Sequence, residues 1–101
     1  MAAVYRIDEI TDKLRPIFES SPVYKVIIFG SYAKGLALSN SDIDIVIDSK
    51  GELRGIDFFG VLDEIVETLN MDVDLFEASE IRIGSPIQNE IIQQGVVIYE
   101  R

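Results

Sequence analysis

An α+β fold is what this sequence predicts: a small mixed β-sheet with helices packed on one side. Three observations carry that prediction. Stretches with apolar residues three and four apart alternate along the chain with shorter stretches rich in β-branched residues, so helices and strands take turns. One strand-like stretch, Asp42 to Asp48, alternates strictly, which requires one face in a core and the other outside it. The length of 101 residues, 48% of them hydrophobic, supports one core but not two. With no linker, repeat or low-complexity tract, residues 1–101 read as a single domain.

Taken in order, Ile7, Ile10, Leu14, Ile17 and Phe18 stand at helical spacing between charged residues and predict an amphipathic helix from Asp8 to Ser20, with Pro16 a candidate kink. Val23 to Phe29 is β-branched and aromatic and stops at Gly30, as a buried strand does. Ser31 to Leu36 has room for one or two helical turns before the polar Ser39-Asn40-Ser41 loop. In the strand that follows, Asp42, Asp44, Val46 and Asp48 point one way and Ile43, Ile45 and Ile47 the other. From Ile56 to Leu69, Phe58, Val61, Leu62, Ile65, Val66 and Leu69 make one broad stripe, and Asn70 is a stop signal. Met71 to Phe76 is a third strand, with Asp72 and Asp74 on one face. Ser85 and Pro86 fit the cap and first position of a helix that ends at Gly95, and Val96 to Tyr99 closes the sheet.

Composition narrows the chemistry. Eighteen acidic against nine basic residues leave a net charge of −9, which repels a phosphate backbone and disfavours direct binding of nucleic acid. Without Cys or His, the chain holds no thiol nucleophile, no zinc site of those ligands and no Ser-His-Asp relay. Its most apolar stretches, Val26 to Phe29 and Val96 to Tyr99, are strand-sized and far short of the roughly 20 residues that span a membrane. The N-terminus turns acidic at Asp8 and Glu9, too soon for a secretory signal, so a cytoplasmic location is expected. Carboxylate chemistry remains.

The carboxylates fall into a pattern. An apolar strand ends in Gly30-Ser31; after an interval comes Asp42-Ile43-Asp44; Asp74 sits on a later strand. Gly30 permits a sharp turn and a close backbone approach, while Ser31 and the first amides of the next turn offer donors to phosphate oxygens, with Lys34 adding a positive charge. Two carboxylates side by side repel unless a cation lies between them, and Mg²⁺, which takes oxygen ligands and retains waters, suits that place. Such a pair meeting phosphate oxygens makes a two-metal phosphoryl or nucleotidyl transfer site, to which Asp74 can add a third carboxylate.

Gly30-Ser31-Tyr32-Ala33-Lys34-Gly35, then Ser41-Asp42-Ile43-Asp44-Ile45-Val46, then Val73-Asp74-Leu75 resembles the minimal nucleotidyltransferase family of the DNA polymerase β-like superfamily, and the likeness runs on through Gly95-Val96-Val97-Ile98-Tyr99. The resemblance implies a polymerase β palm-like nucleotidyltransferase fold. It implies that Gly30, Ser31 and Lys34 hold ATP and that Asp42, Asp44 and Asp74 bind two Mg²⁺ ions and catalyse transfer. It further implies an antitoxin that transfers AMP to a hydroxyl, that of a tyrosine, on a partner HEPN toxin and forms a hetero-oligomer with it. Tyr32 and Lys34 stand where the family often has arginine, which removes a guanidinium fork from the phosphate loop.

Other residues admit plainer readings. Asp48 and Asp72 share faces with the proposed ligands but lie at strand ends, where solvated carboxylates are ordinary. Gly84-Ser85 repeats the dipeptide without a carboxylate pair after it and reads as a helix cap. Phe59, at the edge of the apolar stripe, reads as partial core ahead of an edge aromatic on which a partner could dock, and Tyr32 as either packing beside the phosphate loop or stacking on the nucleotide. Two functions from different classes fit: a Mg²⁺-dependent transferase acting on a protein that completes the site, and a non-catalytic module that neutralises its partner by stoichiometric binding.

Overall fold

The strict alternation of the second strand becomes the centre of a four-stranded sheet. The computed structural model describes residues 4–101; Met1 to Ala3, which enter only the reading of the N-terminus, lie outside the described residues. The elements are α1 (Ile7–Glu19), β1 (Lys25–Phe29), α2 (Ser31–Lys34), β2 (Ile43–Asp48), α3 (Gly55–Leu69), β3 (Val73–Glu77), a short 3₁₀ turn (Ala78–Glu80), α4 (Pro86–Gln94) and β4 (Val96–Glu100). The sheet order is β3-β2-β1-β4. β1 runs antiparallel to β2 and β4, whereas β2 and β3 are parallel, so the sheet is mixed. The parallel pair needs a crossover, which α3 supplies with its 15 residues.

One face of the sheet carries the core. Val26, Ile28, Ile43, Ile45 and Ile47 are fully buried there against Ile10, Leu14 and Phe18 of α1 and Val61, Ile65 and Leu69 of α3. Each fully buried aliphatic side chain contributes about 1.5–3 kcal/mol, so the three isoleucines of β2 alone fix its register, since a slip of one residue would put aspartates in the core. α1 runs unbroken through Pro16, with the Glu9 carboxylate accepting the Arg6 amide at 3.0 Å across its first turn. α3 ends where Asn70 takes the left-handed conformation at φ 52°.

α4 is the exception among the helices. Ser85 caps it by accepting the Gln88 amide, and Pro86 opens it, as its sequence predicts. None of its residues is buried, and its end touches the second face of the sheet, where a side chain at Gly95 would collide with Ile27. Phe59 corrects the reading as partial core: it is 60% exposed, its ring set edge-on at 5.8 Å to that of Phe58, which itself packs against the core. The α3 stripe turns through 100° per residue, so the neighbour of a half-buried position is carried out to solvent.

A polar tie closes the end of the sheet that lies away from Asp42. The Glu77 carboxylate, 5% exposed, accepts from the amide and hydroxyl of the fully buried Ser49 and from the Ser79 amide, while Ser49 Oγ accepts the Leu53 amide at 3.0 Å. Ser49→Ala therefore strips a buried carboxylate of a donor and the Leu53 amide of its acceptor. The expected loss is about 1–3 kcal/mol in urea unfolding; a change under about 0.5 kcal/mol would show the tie to be dispensable. Among the described residues no helix is long and apolar enough to cross a membrane.

Candidate active site

Register brings the predicted carboxylates together. Asp44 on β2 lies directly opposite Asp74 on the parallel β3, and opposite Phe29 on β1. Side chains at paired positions share a face, so Asp44 and Asp74 stand side by side on the face away from the core. Asp74 is exposed on its edge strand; Asp44 is half-buried on a central one. Asp42 falls one residue before β2, is exposed, and lies within the electrostatic reach of Asp44.

The floor beneath the pair is apolar. Phe29 and Val46 are each 4% exposed, and the Phe29 ring packs 5.7 Å from that of Phe76. Loss of water above this floor is the main cause that pushes the Asp44 carboxyl up to about 6, followed by the charge of Asp74 and its hydrogen bond, then the charges of Glu90 and Asp42. Two carboxylates this close need a proton or a cation between them.

The turn expected to hold phosphates is built against the same carboxylate. Gly30 ends β1 at φ 74° and ψ −153°, a region open almost only to glycine. It has no room for a side chain in any case, because the Asp44 carboxylate occupies the space a Cβ would need. Ser31 then starts α2, whose first amides have no intrahelical acceptor, and the turn is tied off by the Leu36 amide bonding to the Ser31 carbonyl at 2.9 Å. Gly30, with Ser31 next to it in the chain, thus adjoins the Asp44 carboxylate.

Other positions resolve differently. Tyr32 is 6% exposed and packs in the core with its hydroxyl towards Met71 Sδ, so of its two readings the structure takes the packing one. The Lys34 ammonium is held by Glu90 of α4, Nζ to Oε1 2.9 Å. Glu90 was illegible in the sequence, since a lone acid in a polar helix carries no spacing signal. Asp48 accepts the Lys50 amide in a turn, Asp72 is exposed, and Ser85 caps α4; none joins the pair.

The surroundings are open. A cleft of about 400 Å³ lies beside Asp42, lined by Tyr5, Tyr32, the Ser39 to Ser41 loop and the Asn70 to Asp72 turn. A larger one of about 540 Å³ contains Arg54, Phe58 and Glu77 at the other end of the sheet and none of the three aspartates, so size alone does not select the candidate site. Among the described residues no three His, Cys, Asp or Glu side chains are arranged as they stand to hold a metal ion. The donor set nevertheless fits Mg²⁺, which binds through one or two carboxylates and completes its shell with water and substrate phosphates: Asp44, half-buried, and Asp74, exposed, are opposed, and neither is ion-paired to a basic side chain among the described residues.

Comparison with known proteins adds a lineage to this geometry. The family model described as Polymerase beta, Nucleotidyltransferase matches residues 12–101. A Methanocaldococcus jannaschii protein named "Putative protein adenylyltransferase" is 34% identical over 82 residues, 80% of this chain and 95% of its own length. Another of the same name from that organism is 33% identical over 88 residues, 85% of this chain and 95% of its own. Among solved structures, a toxin-antitoxin with AMP-PNP superposes with a TM-score of 0.75 at 23% identity, over 90% of this chain and 73% of the other. A tri-AMPylated Shewanella oneidensis HEPN toxin in complex with MNT antitoxin gives 0.70 at 19% identity, over 94% and 73%. At those identities the structural likeness is one of fold.

Proposed function

We propose, from the premise that this chain belongs to the Polymerase beta, Nucleotidyltransferase family and is a nucleotidyltransferase, that it transfers AMP from ATP to a tyrosine hydroxyl of a HEPN-type toxin and so acts as its antitoxin. The observation that carries this reading is the junction of Gly30 with Asp44: the turn that would hold phosphates and the carboxylate that faces Asp74 occupy adjoining space. Support for the acceptor being a protein comes from the names of the relatives and from fold-mates found in toxin-antitoxin complexes. The open face around Asp74 suits an acceptor that brings its own walls, and a net charge of −9 suits a basic one. The same reading puts the chain in the cytoplasm beside that partner.

In the proposed reaction the acceptor hydroxyl releases its proton to solvent and its oxygen bonds to the α-phosphorus as the bond from that phosphorus to the oxygen bridging to the β-phosphate breaks, and pyrophosphate leaves. Ser31 and the first amides of α2 hold the terminal phosphates, and Gly30 lets the chain come close enough to do so. Asp42, Asp44 and Asp74 would hold two Mg²⁺ ions, which supply charge neutralisation at the leaving phosphates and acidify the acceptor hydroxyl. Asp74, exposed on the edge strand, stands where an incoming hydroxyl can reach it, and Asp44 on the central strand stays against the phosphate turn.

A second reading, neutralisation by stoichiometric binding, is favoured by one observation: the phosphate turn has no free cationic side chain, with Tyr32 in the core and Lys34 on Glu90. One experiment separates the two. The chain is incubated with a HEPN-type partner, ATP and Mg²⁺, and the partner is weighed by mass spectrometry, alongside the Asp42→Ala/Asp44→Ala variant. Gain of AMP on the partner, lost in the variant together with protection, establishes transfer. No gain, with protection kept by the variant, establishes occlusion.

A further inference from the structure

The ion pair between Lys34 and Glu90 joins two elements that have little else in common. Lys34 ends the short α2 beside the phosphate turn; Glu90 lies mid-way along α4. Among the described residues it is the one ion pair that links α4 to another element. The helix has no buried residue, Ile92 on it is 72% exposed, and its recorded side-chain hydrogen bonds are local ones at its N-terminal end. α4 thus rests on β1 without burying a residue, is fixed at its ends by the Ser85 cap and the entry into β4 at Gly95, and is tied to α2 by one charge pair.

We propose that Glu90 is a positioning residue for Lys34: it parks the ammonium at the rim of the phosphate turn and yields it to the phosphates of an incoming nucleotide, which unlatches α4. This rests on the nucleotide-binding reading above. The pair is exchangeable because both side chains are about one-third exposed, 36% and 33%, and water-reachable pairs of this kind are weak. A lysine, with its flexible stem and point charge, can change partners where a guanidinium fork is held by geometry. A triphosphate carries several negative charges against the single one of Glu90, so it wins the ammonium once it is seated.

The test is calorimetric titration of the whole chain with Mg²⁺ and AMP-PNP, with hydrogen exchange followed over Asn89 to Gly95. Glu90→Gln frees Lys34 and removes a competing charge, so binding should tighten about threefold or more. Lys34→Met should weaken it about tenfold, and the double variant should match Lys34→Met, because Glu90 acts through the lysine. In the unaltered chain, nucleotide should speed exchange across α4. Unchanged or weaker binding by Glu90→Gln overturns the proposal, as does tightening that persists in the Lys34→Met background, which would make Glu90 a source of field only. If the unaltered chain binds no nucleotide, either alone or in complex with a HEPN-type partner, the proposed function falls. The nucleotide-free exchange then decides the latch: faster exchange over α4 in both single variants upholds it, and no change in either overturns it.

Discussion

Replacing Asp44 with asparagine is expected to abolish transfer and, in the absence of divalent metal, to make the chain more stable at neutral pH. Both results follow from one environment. The carboxyl is lifted from 3.8 to about 6 because it sits over Phe29 and Val46 and faces Asp74. A carboxyl raised in this way contributes stability that is fully present below 3.8 and lost as pH rises through about 6, because the folded chain holds the proton more tightly than the unfolded one. At pH 7.5 the native chain carries that cost and the neutral amide does not. Discounted for a side chain still in contact with water, the difference is about 1 kcal/mol, or ~4–8 °C in Tm for a domain of this size. At pH 4 the gap should close, and Mg²⁺ should stabilise the native chain more than the variant. Thermal melts at the two pH values, with and without Mg²⁺, check all three points; a variant less stable than the native chain at pH 7.5 without metal would show that Asp44 is a structural residue. Asp74→Asn separates the proposed roles further. It should cut transfer far more than it cuts nucleotide binding, since Ser31 and Asp44 remain; equal losses would show the division of labour to be wrong.

Gly30→Ala carries the largest structural cost. A non-glycine residue at φ 74° and ψ −153° is strained by about 1–3 kcal/mol, and the added methyl also displaces the Asp44 carboxylate. Together these should cost about 3 kcal/mol or more, with Tm lowered by ~10 °C or more, and nucleotide binding lost in whatever fraction stays folded. Gly35→Ala is the matched control. Gly35 is also at positive φ, 72°, but nothing lies within 4 Å of the position its Cβ would take. That change costs only the left-handed strain of about 1–2 kcal/mol and should leave binding near native. Similar losses at both positions would mean that backbone strain alone acts at Gly30, and that its contact with Asp44 is incidental.

Much of this was legible from residue order. Ile43, Ile45 and Ile47 declared the buried face of β2, and Ser85-Pro86 with Gly95 marked both ends of α4. The strand ending at Gly30-Ser31, Asp42-Ile43-Asp44 and the later Asp74 also announced which groups to look for. What the sequence left blank has a common character. Ser49 and Glu77, 28 positions apart, meet only because β2 and β3 align in parallel, and neither type in its local context signals a buried tie. Phe59, at the edge of a stripe, and Tyr32, in a short turn, were each open to two readings because their burial depends on what the neighbouring element covers, and the outcomes were opposite: 60% exposed for one and 6% for the other. Lys34 looked free until α4 brought Glu90 to it.

Periodicity and residue type by themselves determined the elements, the buried faces and the list of carboxylates, because side-chain direction in a helix or strand is set by local geometry that repeats along the chain. Which groups touch was decided only by the tertiary structure. The pairing of Asp44 with Asp74, the contact of that carboxylate with Gly30, and the capture of Lys34 by Glu90 each join residues from different elements. Their distances follow from strand register and helix placement, which the core selects as a whole and no local stretch encodes.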